Sequence, residues 1–130
     1  MRLARDELEP RSGQYLKRVT HGRYEKVEAS DDLALSIFSA EKGGWIAAGD
    51  GKLSRGTVDQ LYLAARLALV DLLFQNARPP LLMDDPFVTF DPQRRQAALR
   101  LCREIAETHQ VLFFTCHDGC DTVADWTVTL

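Results

Sequence analysis

The sequence has no long hydrophobic run and no apolar stretch at its amino terminus. A membrane-spanning helix needs about 18 or more consecutive apolar residues, and no stretch of the chain reaches that length. The first ten residues, MRLARDELEP, are charged throughout and lack the apolar core of a secretion signal. These absences predict a cytoplasmic protein that does not enter membranes.

The chain also has few cysteines and no excess of basic charge. Its three cysteines, Cys102, Cys116 and Cys120, are an odd number, which favours free thiols over a disulfide framework. Cys116, His117 and Cys120 lie close together in CHDGC, but no second Cys/His pair stands at the spacing of a structural zinc site. The net charge of -3 gives no general attraction to nucleic acid.

With 130 residues, 45% of them hydrophobic, the chain has the composition of one globular domain. Residues 1–20 show a helical pattern, in which we expect Pro10 to break the helix and Gly22 to end its second piece. From 24 to 48 come three short extended runs, YEKVEA, LALSIFSA and GWIAAG, separated by the turn-forming SDD and EKGG. Alternating apolar residues in the second run predict an antiparallel meander with one buried face.

Helical and apolar extended patterns alternate from residue 54 onwards. Residues 54–76 form the longest helical pattern, and one face is expected to carry Val58, Leu61, Ala65, Ala68 and Leu72. The apolar run LLMDD follows, and after it a helix that starts at Pro92, with Asp91 as its cap. The next apolar run is QVLFFTCH. A last strand is predicted at WTVTL, with Trp126 in the core or at a sheet edge. This order predicts an α/β fold with a mixed sheet, in which parallel strands flanked by helices follow the meander.

Polar side chains stand where the two apolar runs end. Asp84 and Asp85 close the first run, and His117 closes the second. Since ligands of open parallel sheets bind beyond the carboxyl ends of the strands, these three side chains should meet at one edge. Adjacent carboxylates beside a core are costly unless a cation such as hydrated Mg²⁺ offsets them. The alternative is that Asp85-Pro86 only begins a turn.

A second polar segment, LSRGTVDQ at residues 53–60, stands at the start of the long helix. Unpaired backbone amides and the helix dipole make such a position an anion site. Gly56 would let the backbone approach a phosphate, and the Ser54 hydroxyl could donate to it. The alternative is an ordinary helix cap after a flexible loop.

In this order, the segments resemble the carboxy-terminal lobe of an ABC-type ATPase head, a P-loop NTPase fold, from coiled-coil proteins of the SMC, RecN, SbcC and YhaN kind. LSRGTVDQLYLAARLAL resembles the ABC signature and its helix, PLLMDD the Walker B motif, FVTFD the D-loop, and FFTCH the switch-histidine loop. YLKRVTHGRYEKVEA resembles the point where a returning coiled-coil arm enters the head. The resemblance covers about residues 14–130 and implies an arm end and junction helix at 1–23 and the lobe at 24–130.

The resemblance implies ATP and Mg²⁺ as cofactors, ATPase activity, and roles for residues of this lobe. Asp84 would hold magnesium through water. Asp85 would orient the attacking water, at a position where most of the family has the longer glutamate. His117 would sense the terminal phosphate.

Three further residues match positions that serve a second head. Ser54 and Gly56 would contact the terminal phosphate of nucleotide held by that head, and Asp91 would act across the dimer interface. Gln60 fits the pattern of the signature helix and is grouped with these cofactor-binding residues, with no chemistry of its own assigned.

The phosphate-binding loop G-x-x-x-x-G-K-[ST] is missing. The nearest candidate is Gly51-Lys52 in GDGKLS. It would require a glycine at position 46, which is Ile46, and a hydroxyl at position 53, which is Leu53. In the resembled family that Walker A loop belongs to an amino-terminal lobe. The chain is therefore expected to be half of a head, inactive alone. Its expected partners are that lobe, on the same or a separate chain, a second head in an ATP-sandwiched dimer, and DNA, in repair or chromosome maintenance.

Two other interpretations remain open. LLMDD resembles the acidic pair of a phosphoacceptor receiver domain, but about eighty residues precede it and no lysine follows it. Alternatively, the same lobe is a non-hydrolysing module for dimerisation and DNA tethering, in keeping with Asp85 in place of glutamate. Basic residues near the junction could then contact DNA backbone or form a solvated face; they are Lys17, Arg18, Arg23 and Lys26.

Overall fold

The computed structural model describes the backbone of residues 2–130 and the side chains of residues 5–130. The elements are α1 (Arg2–Val19), β1 (Val27–Ala29), β2 (Leu35–Ser39), β3 (Gly44–Ala47), α2 (Arg55–Leu73), β4 (Leu81–Asp84), α3 (Pro92–Ile105) and β5 (Val111–Phe114). Short 3-10 turns lie at Ala48–Asp50 and Asp121–Val123. This order confirms the predicted α/β class. Among the helices of the described residues, none combines the length and hydropathy needed to span a bilayer.

Helix α1 continues through Pro10, so the prediction that proline breaks it is wrong. Proline removes one amide donor from a helix and crowds the preceding turn, but packing on both sides of Pro10 holds α1 together. Before the proline, Glu9 Oε1 accepts a hydrogen bond from the Ala29 amide at 2.9 Å. After it, Leu16 and Val19 are fully buried. Tertiary contacts therefore outweigh the local preference.

The carboxyl end of α1 is closed by a cap that uses two residues. His21 adopts a left-handed backbone conformation with φ of 52°, and the Gly22 amide donates to the Lys17 carbonyl at 2.7 Å. This bond is that of a Schellman cap, whose left-handed residue is usually glycine. Histidine takes that place here, one residue before the predicted Gly22.

Strands β1, β2 and β3 form the predicted antiparallel meander. Val27 lies opposite Ile37 in the β1–β2 pair, and Ile37 lies opposite Ile46 in the β2–β3 pair. All three side chains are buried, and Val27 and Ile37 pack with Leu16 of α1 and Leu61 of α2 among others. One face of the meander is thus covered by the two helices, as predicted.

Helix α2 starts and ends near the predicted limits, and it buries the predicted face only in part, at Leu61 and Ala68. Its buried residues are Thr57, Gln60, Leu61, Ala64, Leu67 and Ala68, whereas Val58, Ala65 and Leu72 of the predicted face are only half-buried. The reason is that α2 packs on two sides. Leu61 and Ala64 join the core under the meander, and Leu67 joins a second core with β4 and α3.

Strands β4 and β5 pair in parallel, with Leu81 opposite Val111 and Asp84 opposite Phe114. This confirms the predicted parallel pairing. Continuous apolar runs such as LLMDD and QVLFFTCH are typical of strands buried on both faces, and that expectation is wrong here, because Leu82 is 67% exposed and Phe114 52% exposed. The other face, with the buried Met83, packs on α3.

The last predicted strand, WTVTL, is absent, since residues 124–130 form no strand. Trp126 is 92% exposed, so its expected place in the core or at a sheet edge is also wrong. A strand needs a neighbour for its backbone hydrogen bonds and cover for its apolar side chains. No other described segment pairs with this one.

Candidate functional site

The carboxyl ends of β4 and β5 bring Asp84, Asp85 and His117 to one edge of the sheet. The Asp85 amide donates to the Phe114 carbonyl at 2.7 Å, which continues the strand pairing by one step. His117 Nε2 lies 3.5 Å from Asp85 Oδ2. Asp84, the last residue of β4, is exposed beside them. The edge therefore presents two carboxylates and an imidazole, as the parallel pairing led us to expect.

Asp85 occupies a backbone conformation that few side chains adopt. Its φ is 43°, in the left-handed region where aspartate and asparagine are enriched over longer side chains. Thr115 Oγ1 donates to Asp85 Oδ1 at 2.9 Å, and Cys116 Sγ donates to Oδ2 at 3.4 Å. These bonds hold the strained residue in place. They also give a physical reason for aspartate where the resembled family usually has glutamate.

The same contacts determine the protonation of the two groups. The pKa of Asp85 is lowered, first by the hydrogen bond from Thr115 and then, more weakly, by Cys116 and the nearby His117. The pKa of the Cys116 thiol is raised by its hydrogen bond to the Asp85 carboxylate. Near neutral pH, Asp85 is therefore ionised and Cys116 is a thiol. A carboxylate with a low pKa is a poor proton acceptor, but its ionised oxygens can still accept a hydrogen bond from a water and so orient it.

All three cysteines are free, as expected. Cys102 is buried in the core beside Met83, and burial raises its pKa to about 12. Cys116 is exposed at the carboxyl edge. Of the three cysteines, Cys116 is therefore the one that contacts Asp85 among the described residues.

Ser54 and Gly56 lie at the amino end of α2. The Ser54 hydroxyl accepts from the Thr57 amide at 3.2 Å and so caps the helix. A Cβ placed on Gly56 would lie 2.6 Å from the Thr89 carbonyl oxygen, closer than side chains approach in real structures. The structure therefore gives Gly56 a packing role that the sequence did not indicate: it lets α2 lie against the segment at 85–91.

Arg94 connects several predicted residues, a role that the sequence did not indicate. Its Nη1 donates to Thr57 Oγ1 at 3.3 Å and to Gln60 Oε1 at 3.2 Å, and its Nε lies 3.1 Å from Asp91 Oδ2. The Asp91 side chain also accepts from the Arg94 amide at 3.0 Å, which caps α3. The available sequence signal was the position of Arg94 in the first turn after the cap, whereas its partners on α2 are 34 and 37 residues away.

Gln60 differs from the other predicted residues because its side chain is fully buried. Its Oε1 accepts from Arg94, while its Nε2 has no hydrogen-bond partner among the described residues. A side chain without exposed surface is poorly placed to meet a nucleotide held by another head. This position favours a role for Gln60 in holding Arg94.

The segment 85–91 joins the two groups of residues. Phe87 and Phe90 anchor it in the core, with ring centroids 5.1 Å apart. Thr89 Oγ1 donates to Asp59 Oδ2 of α2 at 2.6 Å. The carboxyl-edge residues and the start of α2 are thus held in one frame by side chains of a single short connection.

A groove of about 630 Å³ runs between α2 and β4. Tyr62 and Arg66 line its helix side, and Leu82 and Asp84 line its strand side. The groove borders the uncovered face of the β4–β5 pair. Its mixed apolar and charged walls make it a surface for another protein segment as much as for a small ligand.

In sequence, the chain is similar to YhaN of Bacillus subtilis (strain 168), an uncharacterised protein. The two are 34% identical over 110 residues, which are 82% of this chain and 11% of YhaN. The chain thus spans about a tenth of its relative's length. No protein-family model matches it.

Solved structures of SMC proteins share the fold. One was determined in work on the structural biochemistry of ATP-driven dimerization and DNA-stimulated activation of SMC ATPases. Its TM-score is 0.76 at 15% identity, and the match covers 96% of this chain and 76% of that one. Another is the Smc head domain of Pyrococcus furiosus with an extended coiled coil, bound to the C-terminal domain of ScpA. Its TM-score is 0.73 at 15% identity, covering 92% of this chain and 30% of that one. The predicted fold, the carboxy-terminal lobe of an SMC-type ATPase head, and the resemblance to YhaN are confirmed.

Proposed function

We propose that this chain, which has the fold of the carboxy-terminal lobe of an SMC-type ATPase head, supplies half of a composite site that binds and hydrolyses ATP. The observation that carries the proposal is the meeting of Asp84, Asp85 and His117 at the carboxyl edge of β4 and β5. Ligands of parallel sheets bind at this edge. A turn at Asp85-Pro86 alone would not explain why a histidine from the loop after the neighbouring strand lies 3.5 Å from Asp85.

The residues at the edge fit Mg²⁺ with nucleotide. Asp84 presents an exposed carboxylate, and carboxylate oxygen is a preferred ligand of magnesium, which keeps several of its waters. Asp84 would hold the ion through one of these waters. Once bound, the ion would offset negative charge on the phosphates.

Asp85 and His117 would act on the water and the terminal phosphate. Both Asp85 oxygens already accept a hydrogen bond from Thr115 or Cys116, and each retains a lone pair for a further donor. The carboxylate is thereby fixed in direction, so it can orient a water at little entropic cost. His117 is held beside it by its own amide, which donates to Thr115 Oγ1 at 3.0 Å, and its imidazole would donate to a phosphate oxygen.

The start of α2 would serve nucleotide bound to a second head. Ser54 is exposed at the helix cap, where amides and helix dipole favour an anion. Gly56 keeps this end of α2 tight against Thr89, and Asp91, held by Arg94, would act across the dimer interface. In this proposal, Gln60 acts by accepting a hydrogen bond from Arg94, which keeps Arg94 in place beside Asp91.

An amino-terminal lobe with the Walker A motif, on the same or a separate chain, would cover the open face of β4 and β5. Leu82, Leu112 and Phe114 form an exposed apolar row on that face, and such patches mark interaction surfaces. Without that lobe, the chain would lack a phosphate-binding loop and would not turn over ATP. We propose a cytoplasmic role in DNA repair or chromosome maintenance, supported by the likeness to SMC ATPases described as DNA-stimulated.

The second candidate function is a dimerisation or DNA-tethering module that does not hydrolyse ATP. It is favoured by one observation: both oxygens of Asp85 are already engaged within its own lobe. A carboxylate so held, with a lowered pKa, would be a weak base.

Turnover by the chain reconstituted with its Walker A lobe separates the two functions. Asp85→Asn keeps the shape and tolerates the left-handed backbone, so it removes charge with little effect on folding. We expect kcat to fall on the order of 100-fold or more, while Asp118→Asn, a charge change in the exposed loop after β5, stays close to wild type. Wild-type kcat in Asp85→Asn would refute the catalytic role. Micromolar Mg-ATP binding by the chain alone, measured by calorimetry, would refute the need for a second lobe.

A further inference from the structure

Three side chains with different donor atoms converge at the end of β4 and β5. The carboxylate of Asp85, the thiol of Cys116 and the imidazole of His117 each offer one ligand atom, and these atoms lie within 4.8 Å of one another. Asp85 Oδ2 is 3.4 Å from Cys116 Sγ and 3.5 Å from His117 Nε2. The sequence had paired Cys116 and His117 with Cys120, and the fold replaces Cys120 by Asp85 from the neighbouring strand.

Two of the three separations match those around a tetrahedral zinc ion. Bond lengths of about 2.0–2.3 Å at tetrahedral angles place neighbouring ligand atoms about 3.3–3.8 Å apart. Both distances from Asp85 Oδ2 lie within that range, and the Cys116 and His117 ligand atoms lie within 4.8 Å of each other. Side-chain rotation of Cys116 or His117 would bring the third pair to the same separation.

The surrounding bonds already orient the ligands. Thr115 Oγ1 donates to the other Asp85 oxygen at 2.9 Å and accepts the His117 amide at 3.0 Å. Thr115 thus orients the carboxylate ligand directly, as partners outside the metal shell do in known sites, and it fixes the backbone of the histidine ligand. Thiolate and imidazole ligands select zinc over magnesium, which prefers oxygen.

We propose that Asp85, Cys116 and His117 bind a Zn²⁺ ion and leave its fourth coordination position open. Three protein ligands with one open position distinguish such a site from a closed structural one. The side chains are accessible at the sheet edge, with His117 43% exposed, so the ion can enter and leave. Zinc binding does not depend on ATP hydrolysis by this chain.

A consequence does rest on the proposed function. The ion would occupy Asp85 and His117, the two groups proposed to orient water and to sense phosphate. Zinc would therefore inhibit turnover by the reconstituted head and a chelator would restore it. Magnesium bound at Asp84 would then support turnover, whereas zinc bound at the neighbouring Asp85 would inhibit it.

Titration of the reduced 130-residue chain with Co²⁺ tests the site directly, because cobalt bound to thiolate gives a charge-transfer absorption band that zinc abolishes on displacement. We expect one Co²⁺ per chain, displaced by one Zn²⁺ and unaffected by excess Mg²⁺. Cys116→Ser should remove the band. His117→Ala and Asp85→Asn should weaken binding at least about 10-fold, since even outer partners of metal ligands contribute that much.

Two matched variants serve as controls. Cys120→Ser changes the other thiol of the same segment, and His21→Asn changes an exposed histidine at a left-handed position that asparagine tolerates. Both should bind Co²⁺ like the wild type, with circular dichroism confirming the fold of every variant. Absence of a saturable thiolate band, or a band that survives Cys116→Ser and disappears in Cys120→Ser, would overturn the assignment.

The inhibition experiment separates the two proposals. Zinc binding without inhibition of the reconstituted head would support the metal site and contradict the role of Asp85 in turnover. No zinc binding, with turnover still lost in Asp85→Asn, would overturn the metal site and leave the proposed function standing.

Discussion

Gly56→Ala tests whether Gly56 is required for packing inside the lobe. The added methyl group would lie 2.6 Å from the Thr89 carbonyl oxygen, about 0.8 Å inside an ordinary carbon–oxygen contact. Neither neighbour can move freely, because Thr89 is tied to Asp59 by a 2.6 Å hydrogen bond and flanked by the buried Phe87 and Phe90. The clash must therefore separate α2 from the segment at 85–91.

Overpacking of this kind costs about 1–3 kcal/mol. Alanine is the better helix former by about 1 kcal/mol in a helix interior, but Gly56 lies in the first turn, where the gain is smaller. We therefore expect a net loss of about 1–2 kcal/mol in the free energy of unfolding. That is a large share of the stability of a domain of this size, typically about 5–15 kcal/mol.

Urea unfolding followed by circular dichroism measures the change, with Gly49→Ala as the matched control. A Cβ on Gly49 meets nothing within 4 Å, so this variant should be as stable as the wild type or gain up to about 1 kcal/mol. If Gly56→Ala were as stable as Gly49→Ala, the packing argument would be refuted. Glycine at 56 would then be needed only for an external ligand, as the sequence first suggested.

Three further predictions concern the hydrogen bonds and the helix cap. Thr115→Val removes the main cause of the low Asp85 pKa, so an NMR titration of the Asp85 carboxyl group should show a raised pKa in the variant. Above about pH 4, the ordinary aspartate pKa, the variant should be less stable than the wild type, and this difference should vanish as pH falls through the pKa of Asp85 in the folded wild type. Arg94→Met leaves Gln60 buried without its partner and should destabilise the fold by about 1–3 kcal/mol; Gln60→Met in the same chain should recover part of this in urea unfolding, and no recovery would show that the loss lies elsewhere. His21→Gly relieves a left-handed backbone and should raise unfolding free energy by about 1 kcal/mol, whereas a loss would mean that the imidazole contact to Gln93 matters more.

Sequence patterns were sufficient to predict features that depend on neighbouring residues or on the order of the strands. The capping role of Asp91 followed from its place before Pro92, and the meeting of Asp85 with His117 followed from parallel strands ending at one edge. The Pro10 prediction failed because contacts from β1 and α2 support α1 on both sides of the proline. The left-handed backbone of Asp85 could not be read from sequence, since bonds from the next strand hold it.

Long-range pairs account for what the sequence missed at the site. Arg94 reaches α2 across 34 residues to meet Gln60, and nothing in either local segment indicates the other. The Thr89 carbonyl that explains Gly56 is a backbone atom, which any residue at 89 would provide. Such contacts depend on how elements pack, so they appear only once the fold is known.

The two errors about burial have a common physical origin. The apolar runs suggested cover for Leu82 and Phe114, and Trp126 was expected in the core or at a sheet edge, but all three are largely exposed in this chain. Apolar patterning reflects burial in the molecule in which a segment works, and each such side chain gains about 1.5–3 kcal/mol when it is covered. If an amino-terminal lobe covers β4 and β5, as we propose, several of these gains would add up to a substantial binding energy for that lobe. The lobe would also supply the neighbour that WTVTL needs to form a strand, so hydrogen exchange in residues 124–130 should slow when the lobe is added. Unchanged exchange there would mean that the apolar carboxyl terminus serves a different surface.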